Sequence, residues 1–441
     1  MNPHHKHLVN QALVAVVKDL PFHAAPSPPS WTTDAVTAVL RSIARFSFQS
    51  HRSMGRQNGF RHRTPLRQRN LNDEHRKLHD GLLLLGPAAY RDPHRVDLGL
   101  RKSLEFFRWV EAHSGFTHDE VTCREMACVL VRANATKTLW GFLKETANKH
   151  HNNHRNNPIT TATITCLIKL LGEQGLASEA SLTFYRMKQY HCRPDIRAYN
   201  TLIYALCRVG NFARAKFLLE QMELPGFWCP PDAFTYTILI SSYCRHGILT
   251  GCRKATRRRL YEAGRLFRLM LFKGFVPDVV TYNALIDGCC KTYRIQRALE
   301  LFEDMKKKGC APNRVTYDSL IRYYSATNEI DRAVEVLRDM QRLNHGIPSS
   351  SSYTPIIHAL CEAGRVAEAW SFLVELVDGG NVPREYTYRL VCDKLCLAGE
   401  DGLLGDEVHE RIKNGMRKRY KQTMMVKPVM TRKGYPEIEP V

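Results

Sequence analysis

The chain has 441 residues, 44% of them hydrophobic, and its 64 Lys and Arg residues against 43 Asp and Glu give a formal net charge of +21. This composition excludes wholesale disorder and favours a polyanionic partner, either nucleic acid or an anionic membrane surface. No apolar run reaches the roughly 18 residues that a membrane-spanning helix requires, and 14 cysteines are too few for a disulfide scaffold, so we expect a reducing compartment.

The positive charge is concentrated in three segments, and the first of them opens the chain. Residues 1–70 contain ten Lys and Arg residues and two acidic ones, which is typical of an organellar transit peptide. A basic extension that stays on the mature protein is the alternative. Residues 71–160 are predicted to be a degenerate helical part, in which 104–119 has the pattern of a second helix without its first.

The centre of the chain is an internal repeat of about 35 residues. In each unit the apolar spacing 0, 3, 4, 7 occurs twice, as from Tyr282 to Cys289 and from Ala298 to Met305, which predicts two amphipathic helices. A helix pair of this size cannot hold a core alone, so the units must stack. We place them at 161–195, 196–232, 233–278, 279–313, 314–349 and 350–384. The predicted fold is all-α, a right-handed α-solenoid of stacked antiparallel helix pairs.

The segment "TYNALIDGCCK" and a methionine near the end of five of the six second helices make these units resemble the pentatricopeptide repeats of plant organellar RNA-binding proteins. The resemblance is to the P class, which has plain repeats and no added catalytic domain. It covers 161–384, with a degenerate repeat predicted at 385–420 and a basic tail at 421–441.

One residue of each first helix, directly after the stripe tyrosine or its equivalent, should be exposed because it is about 100° round the helix from the buried stripe. The residue three positions earlier lies on the same face. A short polar group beside an apolar or flat one suits an RNA base. The polar residues are Thr165, Asn200, Thr237, Asn283, Asp318 and Thr354, and the predicted base-packing residues are Arg197, Phe234, Val280 and Val315.

By the resemblance, each of these polar residues selects a base together with the last residue of its repeat. Those partners are Asp195, Asp232, Asp278, Asn313, Ser349 and Arg384. The family pairings imply G for Thr165 with Asp195, U for Asn200 with Asp232, G for Thr237 with Asp278 and C for Asn283 with Asn313, giving a core of 5′-GUGC-3′. The pairs of the last two repeats depart from the usual ones and remain unassigned. A helix-capping role for the same residues is the alternative interpretation.

An insertion lengthens the unit 233–278 to 46 residues and carries a basic cluster. The cluster could contact phosphate or form a solvated extension of the second helix. Its members are Arg253, Lys254, Arg257, Arg258 and Arg259.

No catalytic, metal or cofactor motif stands out, and we expect neither an enzyme nor a small-molecule substrate. Cys207, Cys244, Cys290, Cys361 and Cys396 share one repeat position, which predicts buried packing residues. The resemblance implies binding of single-stranded organellar RNA, in a mitochondrion rather than a plastid. The binding would assist splicing, stabilisation or translation of a transcript, with other RNA-processing proteins as further partners. A protein-binding helical-repeat scaffold is the alternative.

Overall fold

The structure is a computed structural model that describes residues 10–12, 14–16, 18–22, 31–48, 93–149, 158–249, 252–399 and 409–417. Within these ranges the regular secondary structure is helical throughout, which confirms the all-α prediction. The chain divides into two compact units, Met1–Val276 and Pro277–Val441. The predicted tail 421–441 and the segment 71–92 lie outside the described residues.

The helices of the first unit follow one another in antiparallel pairs. They are α1 Thr33–Ser47, α2 Pro93–Ser114, α3 Glu120–Arg132, α4 Thr136–Lys149, α5 Thr161–Glu173, α6 Ala177–Tyr185, α7 Ile196–Arg208, α8 Phe212–Met222, α9 Ala233–Leu249 and α10 Arg253–Phe272. A short 3₁₀ helix, Met187–Tyr190, follows α6. The first helices α5, α7 and α9 pack side by side, and each also contacts the second helix of its own repeat.

The second unit repeats this arrangement. Its helices are α11 Val279–Lys291, α12 Ile295–Lys307, α13 Arg314–Ala326, α14 Ile330–Arg342, α15 Ser350–Glu362, α16 Val366–Asp378 and α17 Glu385–Ala398. A helical segment at 409–417 follows, within the predicted degenerate repeat 385–420. The first helices α11, α13, α15 and α17 again pack in sequence.

The predicted apolar stripes form the core of both units. One alanine opens each second-helix stripe and is fully buried, so the two helices of a pair approach closely. These residues are Ala180, Ala215, Ala263, Ala298, Ala333 and Ala369. The stripe tyrosine of the first helix adds an anchoring bond, as where the Tyr282 hydroxyl donates to Asp304 Oδ2 at 2.8 Å.

Left-handed glycines end several first helices, and the unit with the insertion is the exception. Gly175, Gly210 and Gly364 have φ values of 84°, 83° and 78°, as expected of a helix C-terminus. Gly247 does not, because the insertion extends α9 to Leu249 and leaves this glycine inside the helix. A Cβ atom at position 247 would lie only 3.2 Å from the Cβ of Arg259, so the glycine makes room for Arg259.

The predicted start of the folded part at residue 71 is wrong. Residues 33–47 form α1, which packs against α2 and α3 and buries Val36, Val39, Leu40 and Ile43 completely. Removing this helix from water contributes apolar burial that a cleaved or solvated extension cannot supply. Residues ahead of α1 contact α2 as well, since Lys102 Nζ donates to the Leu20 carbonyl at 2.7 Å and the Phe22 ring lies 5.4 Å from that of Phe106. The rest of segment 1–70 lies largely outside the described residues.

Among the described residues, no helix is both long enough and apolar enough to cross a membrane.

Candidate functional site

The last residue of each repeat caps the first helix of the next repeat, so the capping interpretation is confirmed for most of these residues. Asp195 accepts from the Ala198 amide and Asp278 from the Thr281 amide, both at 2.8 Å. Asp232, Asn313 and Ser349 cap in the same way, whereas Arg384 makes no side-chain cap. Capping fixes these side chains at the start of each first helix and leaves lone pairs or donors for a further contact.

In the repeat 196–232 the predicted base-selecting residues bond to each other directly and share a third residue as a partner. Asn200 Nδ2 donates to Asp232 Oδ1 at 3.2 Å, and Asn200 Oδ1 accepts from the Thr235 hydroxyl at 2.7 Å. Thr235 Oγ1 also lies 2.8 Å from Asp232 Oδ1. We call this arrangement the polar triad. Because both ends of the amide are engaged, the orientation of the Asn200 side chain is fixed.

The repeat 279–313 contains a second polar triad. Asn283 Nδ2 donates to Asn313 Oδ1 at 3.1 Å, and Asn283 Oδ1 accepts from the Thr316 hydroxyl at 2.6 Å. Two repeats with different last residues thus hold the asparagine amide in the same way. The structure brings together both of these predicted pairs.

The prediction that the polar residues are exposed is wrong for three of them and only partly right for the others. Asn200, Thr237 and Asp318 are 5%, 4% and 5% exposed. Thr165, Asn283 and Thr354 are half-buried. For Asn200 the cause is the neighbouring first helix, whose Thr235 covers the side chain. An RNA base would therefore meet only the edge of each polar group.

The repeat 314–349 differs, since Asp318 contacts two serines of the next helix. Its carboxylate accepts from the Ser351 and Ser352 hydroxyls, both at 2.6 Å. Ser349 bonds to Ser351, with 2.9 Å between the hydroxyl oxygens. Ser349 is thus linked to Asp318 through Ser351.

In the repeat 161–195 the two predicted residues bond to different partners. The Thr165 hydroxyl donates to the carbonyl of Thr161 at 2.8 Å, while Asp195 serves as the cap. Thr237 lies in the first compact unit and Asp278 in the second. The last pair is Thr354, half-buried, and Arg384, exposed.

The predicted base-packing residues lie open to solvent beside these polar groups. Phe234, Val280 and Val315 are 60%, 57% and 48% exposed, and Arg197 is exposed as well. Exposed apolar side chains at one recurring position have no role in the core. Within each compact unit, we call its polar residues, last residues and exposed side chains of this kind the candidate surface.

The basic cluster lies away from the candidate surface. It belongs to the start of α10, which the insertion lengthens, and Thr237 is about 18 Å from the end of α9 at a rise of 1.5 Å per residue. Lys254, Arg257 and Arg258 are exposed, and Arg259 stacks on Phe212 at 4.6 Å from the ring centroid. The Arg253 side chain lies outside the described residues.

Sequence reasoning missed the hydroxyl residues of the triads. Thr235 and Thr316 are fully buried, and each links its own cap residue to the asparagine of the preceding repeat. The available signal was a Thr or Ser three residues after the last residue of a repeat, which is part of a helix-capping pattern.

The cysteine prediction holds for four of its five positions. Cys207, Cys244, Cys290 and Cys361 are at most 5% exposed, whereas Cys396 is exposed near the end of α17. Burial raises the pKa of the Cys207 thiol to about 12, so it stays protonated and unreactive. In the described part of the chain, no three His, Cys, Asp or Glu side chains cluster as a metal site would require.

Comparison with known proteins decides the family. The profile described as "PPR repeat family" matches 194–245, 248–291, 277–322 and 348–397. Profiles described as "PPR repeat" and "Pentatricopeptide repeat domain" match 308–341 and 159–207. A pentatricopeptide repeat-containing protein of Arabidopsis thaliana is 62% identical over 430 residues, 97% of this chain and 93% of the relative. The chain belongs to the pentatricopeptide repeat family.

Two more distant similarities accompany this one. An Arabidopsis thaliana pentatricopeptide repeat-containing protein named as mitochondrial is 26% identical over 121 residues, 27% of this chain and 25% of the relative. The crystal structure of the pentatricopeptide repeat protein PPR10 from maize aligns with a TM-score of 0.41 and 18% identity, over 96% of this chain and 67% of that one. None of the matched pentatricopeptide profiles reaches α1 to α4, since the matches begin at residue 159.

Proposed function

We propose that this pentatricopeptide repeat protein binds single-stranded RNA sequence-selectively, with one nucleotide facing each repeat. The observation that carries the proposal is the recurrence of the polar triad beside an exposed side chain, which is Arg197 in one repeat and Val280 in the other. In the repeat 279–313 the amide of Asn283 is held by Asn313 and Thr316, and Val280 lies one helical turn away on the same face. A fixed amide edge and an exposed apolar group match the edge and the face of a base.

The amide geometry suits discrimination between bases. Nδ2 of Asn200 has one N–H engaged by Asp232 and a second available, and Oδ1 retains a lone pair beside the bond from Thr235. A group whose orientation is fixed before binding loses little entropy when it contacts a base. The preferred core remains 5′-GUGC-3′ from the repeat 161–195 to the repeat 279–313.

In this proposal the protein binds an organellar transcript, in a mitochondrion rather than a plastid. The binding assists the splicing, stability or translation of that transcript. A four-base core occurs often by chance, so target choice also depends on partner proteins or on the basic segments. We propose no catalytic step.

Selection from a random single-stranded RNA pool tests the proposal, using the full chain so that α1 and the residues packed beside it are kept. We compare the unchanged sequence with Asn283→Thr and Asn200→Thr, each the control for the other. The core should be enriched, and Asn283→Thr should change the preference at its fourth base only, from C to A by the family pairings. Asn200→Thr should change the second base only, because each triad holds its own amide.

The outcomes separate the candidate functions. Binding without an enriched core that disappears with salt would assign RNA affinity to the basic segments alone. The complete absence of binding would favour the protein-binding scaffold.

A further inference from the structure

Helix α1 occupies the position of the first helix of a repeat, although the repeat pattern is not recognisable in the sequence. Within the repeats, a first helix packs against its own second helix and against the next first helix, as α7 does with α8 and α9. Helix α1 packs in the same way against α2 and α3. The chain leaves α1 at Ser47 and reaches its partner α2 only at Pro93. We call α1, α2 and the connection to Asp119 the split repeat.

The split repeat ends in the same capping arrangement as the repeat 196–232. Asp119 Oδ1 accepts from the amide and the hydroxyl of Thr122, both at 2.9 Å. Asp232 Oδ1 accepts from the amide and the hydroxyl of Thr235, both at 2.8 Å. Asp119 is therefore the last residue of the split repeat, and it is also bound at 2.8 Å by the hydroxyl of Thr33 on α1.

Counting from the helix cap then identifies the residue that corresponds to Asn200 and Thr165. Thr32 caps α1, as Asp195 caps α7, and the fifth residue after the cap is Thr37. Thr37 is 4% exposed, and its hydroxyl donates to the Asp34 carbonyl at 3.1 Å. Thr165 bonds to its own helix backbone in a similar way. The split repeat thus presents a Thr and Asp pair, the same pair as Thr165 with Asp195.

We infer that the split repeat is a further RNA-contacting unit, and that Thr37 with Asp119 selects the same base as Thr165 with Asp195. One repeat, 120–160, lies between them, so the base facing Thr37 is two nucleotides before the base facing Thr165. The inference rests on the proposed function. Asp34 is exposed where other repeats have Phe234 or Val280, so this contact lacks apolar packing and adds less affinity.

The same RNA selection with the full chain tests the inference through Thr37→Asn. This substitution creates the pair found at Asn200 and Asp232, and Asp119 and Thr122 already offer the acceptor and the donor that an asparagine needs. In the unchanged sequence, the base facing Thr37 should be the same as the base facing Thr165, which lies two nucleotides further along the RNA. With Thr37→Asn it should become the base found at the Asn200 position. Thr165→Asn is the matched control and should change only its own position.

The results distinguish this inference from the proposed function. An enriched core with random bases at the Thr37 position, unaltered by Thr37→Asn, overturns the inference and leaves the proposed function standing. No enriched core at all overturns the proposed function, and the inference with it. Circular dichroism checks that each variant is folded.

A second variant keeps the inference testable if Thr37→Asn does not fold. Asp119→Asn preserves a good capping residue and changes the pair to Thr with Asn. It should shift the selected base at the Thr37 position and no other. A preference at that position which ignores this change would also overturn the inference.

Discussion

The adjacent repeats 279–313 and 314–349 place different groups at the same position. In the first, the Asn283 amide both donates to Asn313 and accepts from Thr316. In the second, the Asp318 carboxylate accepts from Ser351 and Ser352. An ionised carboxylate has no donor and adds a negative charge near the expected RNA backbone. The same fold thus provides one position suited to base discrimination and one that lacks a donor and repels phosphate.

The largest effect is expected from breaking the first of these arrangements with Thr316→Val. The fully buried hydroxyl of Thr316 donates to Asn283 Oδ1 and accepts from the part-buried backbone amide of Asn313, and its removal leaves both groups without this partner. Unpaired buried polar groups cost about 1–3 kcal/mol, so the free energy of unfolding should fall by about 2 kcal/mol in urea denaturation. Selection at the fourth base should weaken, because the amide is no longer held.

Thr316→Ser is the control for that prediction. It retains the hydroxyl and should retain the base preference, with a smaller loss of stability from the missing methyl group. Equal loss of preference in both variants would show that Thr316 does not act through its hydroxyl.

A smaller effect is expected from converting the second arrangement into the first with Asp318→Asn. Removing one negative charge near the RNA backbone is worth about 1 kcal/mol, so affinity measured by filter binding at low salt should rise about fivefold. The gain should shrink as salt is added. Random-pool selection should show a preferred base at the fifth position, because an amide supplies the missing donor.

Asp339→Asn removes the same charge from the second helix α14, where Asp339 pairs with Arg342. This control should change affinity less than twofold. A similar gain in both variants would mean that net charge alone accounts for the result, and that the position of Asp318 has no special role.

The smallest effect is expected from Arg338→Met, which breaks an ion pair with Glu375. Arg338 bonds to both oxygens of Glu375, at 2.5 and 2.8 Å, but the pair is partly solvated, so the loss should stay below about 1 kcal/mol. Base selection should not change.

Acidification gives this prediction a second test. Burial tends to raise the pKa of Glu375, but hydrogen bonds from Arg338, Gln341 and Tyr353 outweigh it and hold the pKa below its usual value. A lowered pKa contributes stability that is present above the unfolded-state pKa and is lost as pH falls through the folded-state value. The difference between the variant and the unchanged chain, measured by urea denaturation, should therefore shrink in acid. A constant difference would contradict this role of the carboxylate.

Helical periodicity was sufficient to predict the repeats and most of their ends. The spacing from Ala298 to Met305 predicted a buried stripe, and α12 buries both of these residues. Local capping patterns likewise placed Asp232 and Asp278 at helix starts. These features depend on residues within one or two turns of each other, so the sequence alone contains the information.

The sequence by itself determined the all-α class, the helix pairs, and the alignment of polar and apolar residues along the candidate surface. Only the tertiary structure decided how exposed those residues are, because the burial of Asn200 depends on Thr235 in the next repeat. It also decided that α1 belongs to the fold, since Ser47 and Pro93 lie far apart in sequence and periodicity does not extend across such a connection. Contacts between distant segments form only when the helices pack, and they determine which of the aligned groups remain open to a ligand.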